Sequence, residues 1–358
     1  MPERLKVGIV GCGGIANLRH IPGFKRLGKN VVIQAVCDKN KELALEVAKK
    51  HGIPAAYAEL SEMLSKENLD IIDICTPPQI HAPLAVEALE HKCHVLLEKP
   101  MALKTSDCDE MISVSRVHKV KLCIMHNQLF YPPLLKAKEL VSKGAIGDLI
   151  GMRIFMSDPK DEMIMRKDYW IHRLPGGLIG ETGPHAVYRS LAFIGKVKSV
   201  EVHARNFLEH PWAPFDEFRV ELEGEKANSS VIISYASNRR ASSIELLGRR
   251  GALHLDLLGM LCIQQAENNS MQPFALARYY LGIASQIMAG VASNAFNVLA
   301  RRARFGHEVV IERFVSSILN DHEPPVTGEE GREATRVMEM IVERLHEKYG
   351  SYYTNLKE

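Results

Sequence analysis

Four groups of residues in this chain have types and spacings that could do chemistry. Glu98-Lys99-Pro100 ends an apolar run beginning at His94 and sets an ammonium beside a carboxylate. Glu181 and His185 are four residues apart, so on a helix they share one face. An imidazole with an ordinary pKa near 6.5 suits general-base work at neutral pH. Gly11-x-Gly13-x-x-Ala16 follows apolar Val7, Ile9 and Val10 and precedes a helical pattern starting near Ile15. Gly11 permits a tight turn, Gly13 lets backbone approach a phosphate, and Ala16 lets the helix pack close to the strand. Gly14 and Ile15 open that helix, whose unpaired N–H groups and positive dipole end face an anion. Asp38 closes a second apolar run, Val31 to Cys37, where a dinucleotide fold receives the adenosine ribose hydroxyls. A carboxylate there repels a 2′-phosphate, so the reading favours NAD over NADP. The alternative is an acid in a surface turn.

The elements that must position these groups alternate strand and helix through residue 126. Helix to about Leu27, strand Val31–Cys37, helix Asn40–His51, helix Leu60–Ser65, strand Asp70–Cys75, helix Gln79–His91, strand His94–Glu98, a helix reaching His118 and strand Lys121–His126 follow in turn. Ser106 with Asp109 reads as a capping box for the helix to His118. Such alternation predicts a parallel sheet covered on both faces, with ligands at the carboxyl ends of its strands. Gly11, Asp38, Thr76, Lys99 and His126 all fall at such ends. An ammonium near a nicotinium cation and a buried wall would have a depressed pKa and carry protons; for Lys99 a solvated surface lysine is the other reading.

Periodicity breaks at Asn127 to Pro133, and a helix over Leu134–Ser142 stops at Gly144. Strands are then predicted over Leu149–Ser157, Val197–Asn206, Phe215–Leu222, Ser230–Tyr235, Ser242–Leu247 and Ala252–Leu257. The fold class is therefore α/β: a Rossmann domain with a doubly wound parallel sheet over 1–126. An α+β domain with a large, mostly antiparallel open sheet spans 127–358. Its C-terminal helices, Glu308–Leu319 and Glu329–Tyr349, pack back on the body, the second opened by a Thr327/Glu330 capping box. From Tyr279 to Ala300 no Asp, Glu, Lys or Arg occurs. Gln286, Gly290, Ser293 and Asn297 give that helix a weakly polar face. It is read as packed on its domain or on a partner subunit, with interfacial membrane contact or a span as alternatives.

The composition is ordinary: 358 residues, 46% hydrophobic and a net charge of +2, which argues against a dedicated nucleic-acid surface. Seven cysteines without a C-x-x-C pair make structural zinc and a disulfide framework poor readings; no metal is expected, and a reducing cytoplasm fits. The first strand begins too early for a signal peptide.

On Gly11-x-Gly13-x-x-Ala16, Asp38, Thr76-Pro77-Pro-Gln-Ile-His81, Glu98-Lys99-Pro100, Gly176-Gly177 and Glu181-x-Gly183-x-His185, the chain resembles the Gfo/Idh/MocA oxidoreductases. The resemblance implies that Lys99 lies beside the nicotinamide and polarises the reacting oxygen. It implies too that the face bearing His185 meets Lys99 and takes the substrate proton. His81 and Glu98 then shape the cofactor pocket. Glu181, which would orient His185, stands where the family usually has Asp, and Tyr188 where a second Asp is common. Leu129 stands where an arginine is frequent. Trp170 and Arg173, with His126 and Asn127, are the substrate-side candidates. The expected activity is NAD-dependent hydride transfer to or from a secondary hydroxyl of a sugar, cyclitol or nucleotide-sugar, in a homodimer or homotetramer. An NAD-retaining glycosidase and a non-catalytic NAD sensor are the alternatives.

Overall fold

The computed structural model describes residues 4–159, 166–268, 270–300 and 302–354. Contacts divide the chain into two units: Met1–Asn127 with Phe305–Arg336, and Gln128–Arg304 with Val337–Glu358. The chain therefore changes unit twice more than a single boundary at 126/127 provides for.

In the first unit, β1 (Leu5–Val10), β2 (Val31–Cys37), β3 (Ala55–Tyr57), β4 (Ile71–Ile74), β5 (His94–Leu97) and β6 (Leu122–Ile124) form one sheet in the order β3-β2-β1-β4-β5-β6. Every pair in it is parallel, the doubly wound Rossmann arrangement. β4 is buried at all four positions, and its one polar residue, Asp73, sits opposite Ile9 and Leu96. Helices α1 (Ile21–Arg26), α2 (Lys41–His51), α3 (Leu60–Lys66), α4 (His81–Glu90) and α5 (Thr105–His118) make the crossovers. A π-type turn over Ala16–His20 leads into α1, and Asn40 caps α2 by accepting from Glu42 N–H and Leu43 N–H. The expected Ser106/Asp109 box does not form. Helix α5 starts at Thr105, and the Asp109 carboxylate instead takes a bidentate ion pair from Arg332. β3 was not anticipated, because three half-buried residues give no period.

The second unit contains α6 (Pro132–Ser142), β7 (Leu149–Ser157), α7 (Leu178–Ile194) and β8 (Val197–Arg205), then β9 (Glu217–Gly224), β10 (Asn228–Ser234), β11 (Ala241–Gly248), β12 (Gly251–Asp256) and β13 (Leu261–Ala266). The seven strands are ordered β13-β12-β11-β7-β10-β9-β8, antiparallel throughout except where β10 runs parallel to β7. This is the expected mostly antiparallel open sheet with one strand more, β13. Helix α8 (Pro273–Leu299) follows β13; none of its residues is buried, so of the two expected settings, its own domain or a partner subunit, the first is met along one side only, where Gln286 and Asn294 bond to the β13 segment. No helix among the described residues is long and apolar enough to cross a membrane.

The returning segment carries α9 (Gly306–Leu319), and α10 (Gly328–Thr354) begins there. The Thr327/Glu330 box is present, Thr327 N–H donating to Glu330 Oε2 at 2.8 Å and Glu330 N–H to Thr327 Oγ1 at 3.2 Å. Ion pairs from Glu308 to Arg26 and from Glu329 to Arg116, with that of Arg332, tie this segment to the first unit. It packs closely as well: a Cβ on Gly23 would stand 2.6 Å from Ile311 Cδ1, and one on Gly331 2.5 Å from Ile124 Cγ1.

Candidate active site

The first unit's candidate residues gather at the carboxyl ends of β1, β2, β4 and β5. Gly11 has φ +93°, and a Cβ there would lie 2.8 Å from the Cys75 carbonyl, so only glycine fits this crossing. Gly13 and Gly14 are exposed, with nothing within 4 Å of where their side chains would stand. Ile15 is half-buried, and Ala16, fully buried, lets the helical turn close on the strand. Asn17 pins the loop by donating to the carbonyls of Cys12 (2.8 Å) and Gly13 (3.0 Å). Asp38 Oδ2 accepts from Cys12 N–H at 2.8 Å and Oδ1 from Asn40 N–H at 2.9 Å. The ribose-side acid thus also braces the glycine turn, and each oxygen keeps a further lone pair. Thr76 Oγ1 is buried with no hydrogen-bond partner among the described residues, and Pro77 beside it is exposed. Open glycine backbone, an unsatisfied hydroxyl and a terminal carboxylate together suit a dinucleotide.

His81 has no exposed surface. Its Nδ1 faces the Pro100 carbonyl at 2.9 Å and its Nε2 the Thr76 carbonyl at 2.8 Å. Burial lowers its pKa, so the neutral ring donates to one of two carbonyls and staples the ends of β4 and β5. Its influence on a ligand passes through those backbones.

Lys99, half-buried, donates its backbone N–H to Glu98 Oε2 at 3.0 Å. Behind it lies a buried polar chain. His20 donates from Nδ1 to Asp73 (2.9 Å to Oδ2) and from Nε2 to Glu98 Oε1 (2.9 Å). His307 Nε2 stands 3.7 Å from the same Glu98 oxygen, and its Nδ1 faces Asn127 Nδ2 at 3.3 Å. Burial opposes charge on His20, yet Asp73 raises its pKa well above the usual value. Burial alone would raise Glu98, but the His20 hydrogen bond and charge, with His307 and Lys99, hold it at about 2. Burial takes His307 down to about 4, so of the two imidazoles on Glu98 only His20 is cationic at neutral pH. His126 and Asn127 are both buried, and Asn127 joins this network through its contact with His307. Sequence reasoning missed His20, Asp73 and His307. Asp73, an acid inside an apolar central strand, was the available signal that a buried cation must exist.

The second unit holds the other candidates on α7. Gly176 and Gly177 enter it at φ +78° and +63°. His185, half-buried, pairs through Nδ1 with Tyr188 Oη at 2.6 Å, the rings edge-to-face with centroids 5.5 Å apart. Glu181 was expected to orient His185; its Oε2 instead accepts from Thr182 Oγ1 at 3.0 Å, and Thr182 accepts from Tyr235 Oη. An imidazole that donates Nδ1–H to a phenol oxygen carries its basic lone pair on Nε2, the tautomer a general base needs. The buried guanidinium of Arg189, also unforeseen, donates from Nε to the His185 carbonyl at 2.7 Å, and burial lowers its pKa to about 10. Trp170 is half-buried and Arg173 exposed on the short turn Trp170–Arg173 before α7. Tyr188→Phe removes only the hydroxyl and is expected to lower kcat about tenfold, a part of the ~10²–10⁴ that a positioned base contributes. It should also displace the acid limb of the kcat/KM–pH profile; unchanged kinetics would mean that Tyr188 does not set the tautomer.

A cavity of about 670 Å³ in the first unit, lined by His94, Arg116, Lys121 and Glu329 among others, lies at the amino ends of β5 and β6. It is thus at the wrong end of the sheet for a ligand of this fold.

A Rossmann unit with an open glycine turn and, in the same chain, an open-sheet unit bearing a His-Tyr pair define a dinucleotide-binding oxidoreductase class. Residues 5–126 match the oxidoreductase family with an NAD-binding Rossmann fold, and residues 134–254 match the GFO/IDH/MocA C-terminal domain. The chain belongs to the Gfo/Idh/MocA family, and it is an NAD-binding oxidoreductase. Oxidoreductase P35 of Formosa agariphila is 25% identical over 56% of this chain and 64% of its own length. Myo-inositol 2-dehydrogenase of Thermotoga maritima is 22% identical over 96% of this chain and 97% of its own. Among solved structures, the WlbA dehydrogenase of Bordetella pertussis, in complex with NADH and UDP-GlcNAcA, has a TM-score of 0.81 at 20% identity, covering 97% of each chain.

Proposed function

We propose that this protein oxidises a secondary hydroxyl of a sugar, cyclitol or nucleotide-sugar, with NAD in preference to NADP. The observation that carries the reading is the half-buried His185 with its Nδ1 2.6 Å from Tyr188 Oη, a ring held in place by a phenol as a general base requires. The relatives point the same way, one named for myo-inositol and one bound to a UDP-sugar. Bound NAD supplies a hydride acceptor. Gly11, Gly13, Gly14 and Ala16 hold its pyrophosphate, and Asp38 its ribose. Lys99 binds the oxygen of the reacting carbon through its ammonium, and His185 takes the hydroxyl proton. Glu98 positions Lys99 by accepting its backbone N–H. Glu181, Trp170 and Arg173 complete the substrate side.

The test is NAD reduction, read as NADH absorbance, over a panel of polyols, free sugars and UDP-sugars. At least one class should turn over, faster with NAD than with NADP. Tight NAD binding with no turnover on any class would sink the dehydrogenase reading, as would release of free sugar without net NADH.

A further inference from the structure

Helix α8 has an exposure that its own fold does not explain. It is 27 residues long, and its side toward β13 is small or amide-bearing. Gln286 Oε1 accepts from Gln264 N–H, and its Nε2 donates to Gln264 O, each at 2.9 Å. Asn294 Nδ2 donates to the carbonyls of Gly259 (2.8 Å) and Met260 (3.2 Å). A Cβ on Gly290 would lie 2.6 Å from Leu261 Cδ2, so the helix sits close on the strand. The polar side therefore faces the protein, the reverse of an ordinary surface helix.

The outward side has a strict period. Phe274, Leu281, Met288 and Ala295 recur every seven residues, and Ala277, Ala284, Val291 and Val298 each follow by three. All eight are exposed, Phe274 at 92%, Leu281 at 69%, Met288 at 73%, Val291 at 55% and Val298 at 64%. Alternating three- and four-residue steps over four heptads are the signature of a coiled-coil seam. We propose that this seam pairs α8 with the α8 of a second copy of the chain, antiparallel, in a two-fold interface.

Size, charge and shape support that occupant. The stripe is about 40 Å long and leaves on the order of 500 Å² of apolar surface per copy, at the upper end of the largest patch a monomer carries and, doubled, close to the smallest specific dimers. A membrane-lying helix carries basic residues along its polar face. Here no charged residue occurs from Tyr279 to Ala300, and the polar face is engaged with β13. Antiparallel pairing sets Phe274 against Val298, Leu281 against Val291, Met288 against Ala284, and Ala277 against Ala295, so three layers combine a larger side chain with a smaller one. Parallel pairing would stack Phe on Phe and then Ala on Ala, alternating crowding with voids. It would also bring the two Arg278 residues together, whereas antiparallel pairing sends each toward the partner helix's last turns, where a cation is favoured.

Sedimentation velocity on the full chain at micromolar concentration tests this. The wild type should associate, and the Leu281→Glu/Met288→Glu variant should lose one association step, dimer to monomer or tetramer to dimer. Both substituted side chains are exposed, so its far-ultraviolet circular dichroism and NAD binding should stay as in the wild type. Under mild oxidation, Leu281→Cys/Val291→Cys should give a covalent dimer. Leu281→Cys alone should not, because its two thiols would be about 15 Å apart along the antiparallel pair. A monomeric wild type, or a double-Glu variant of unchanged mass, overturns the proposal. Cross-linking by Leu281→Cys alone overturns the antiparallel register. Sedimentation of the wild type with phosphatidylcholine–phosphatidylglycerol vesicles, abolished by the double-Glu variant, overturns it in favour of a lipid surface.

Discussion

Replacing Lys99 by methionine is expected to lower kcat/KM about 10²–10⁴-fold, and His185→Ala should fall in the same range. Methionine keeps the unbranched stem and removes only the ammonium. The Lys99 backbone N–H bond to Glu98 Oε2 does not depend on the side chain, so the loop at the end of β5 should keep its shape. The glycine turn and Asp38 are likewise untouched, so NAD should still bind, as measured by quenching of protein fluorescence. The loss should then appear in kcat more than in KM, because the missing interaction is one strengthened as charge develops on the reacting oxygen. If the two residues handle one proton-transfer step, the double variant should cost little more than the worse single variant. Turnover that survives either single change within about tenfold would remove that residue from the assignment.

The parallel sheet was legible because its strands are buried on both faces and so read as near-continuous apolar runs ending in Gly11, Asp38, Thr76 and Lys99. The second sheet was legible from alternation, as in β9, whose burial switches at every residue. What escaped has physical causes. β13 is half-buried along most of its length, so no face stands out. The attachment of 305–336 to the first unit rests on partners more than 200 positions apart, such as Arg116–Glu329 and Asp109–Arg332, and each charge alone reads as a solvated face. At the site, position 185 on a helix can meet 181 or 188 equally well. Rotamers chose Tyr188, and spacing has no means to see rotamers. Asp73 is the instructive omission. A carboxylate inside an apolar strand costs several kcal/mol unless a cation meets it, so its partner could have been sought among the buried histidines.

His20→Leu is expected to destabilise the protein by about 3–5 kcal/mol at pH 7, because it leaves Asp73 and Glu98 buried without the cation between them. That corresponds to a melting temperature lower by roughly 10 °C. The pH dependence distinguishes this cause from a simple packing defect. In the wild type, Glu98 has its folded pKa held at about 2, below its unfolded value, so its contribution is full above about 4.5 and is lost as pH falls toward 2. His307, depressed to about 4, likewise contributes fully above about 6.5 and loses that contribution as pH falls toward 4. His20, raised well above 6.5, has the opposite sign: its contribution is complete below that value and fades only on the alkaline side. Wild-type stability from this network should therefore be greatest near pH 6.5 and decline on acidification. In His20→Leu the Glu98 carboxylate no longer faces that cation, so it takes up its proton at higher pH, and acidification relieves its burial. The gap in melting temperature between the two proteins should narrow from pH 7 to pH 4, followed by thermal melts at fixed ionic strength. A gap that stays constant across that range would mean that His20 contributes volume alone, and the Glu98 carboxylate behind Lys99 would then owe its charge to some other neighbour.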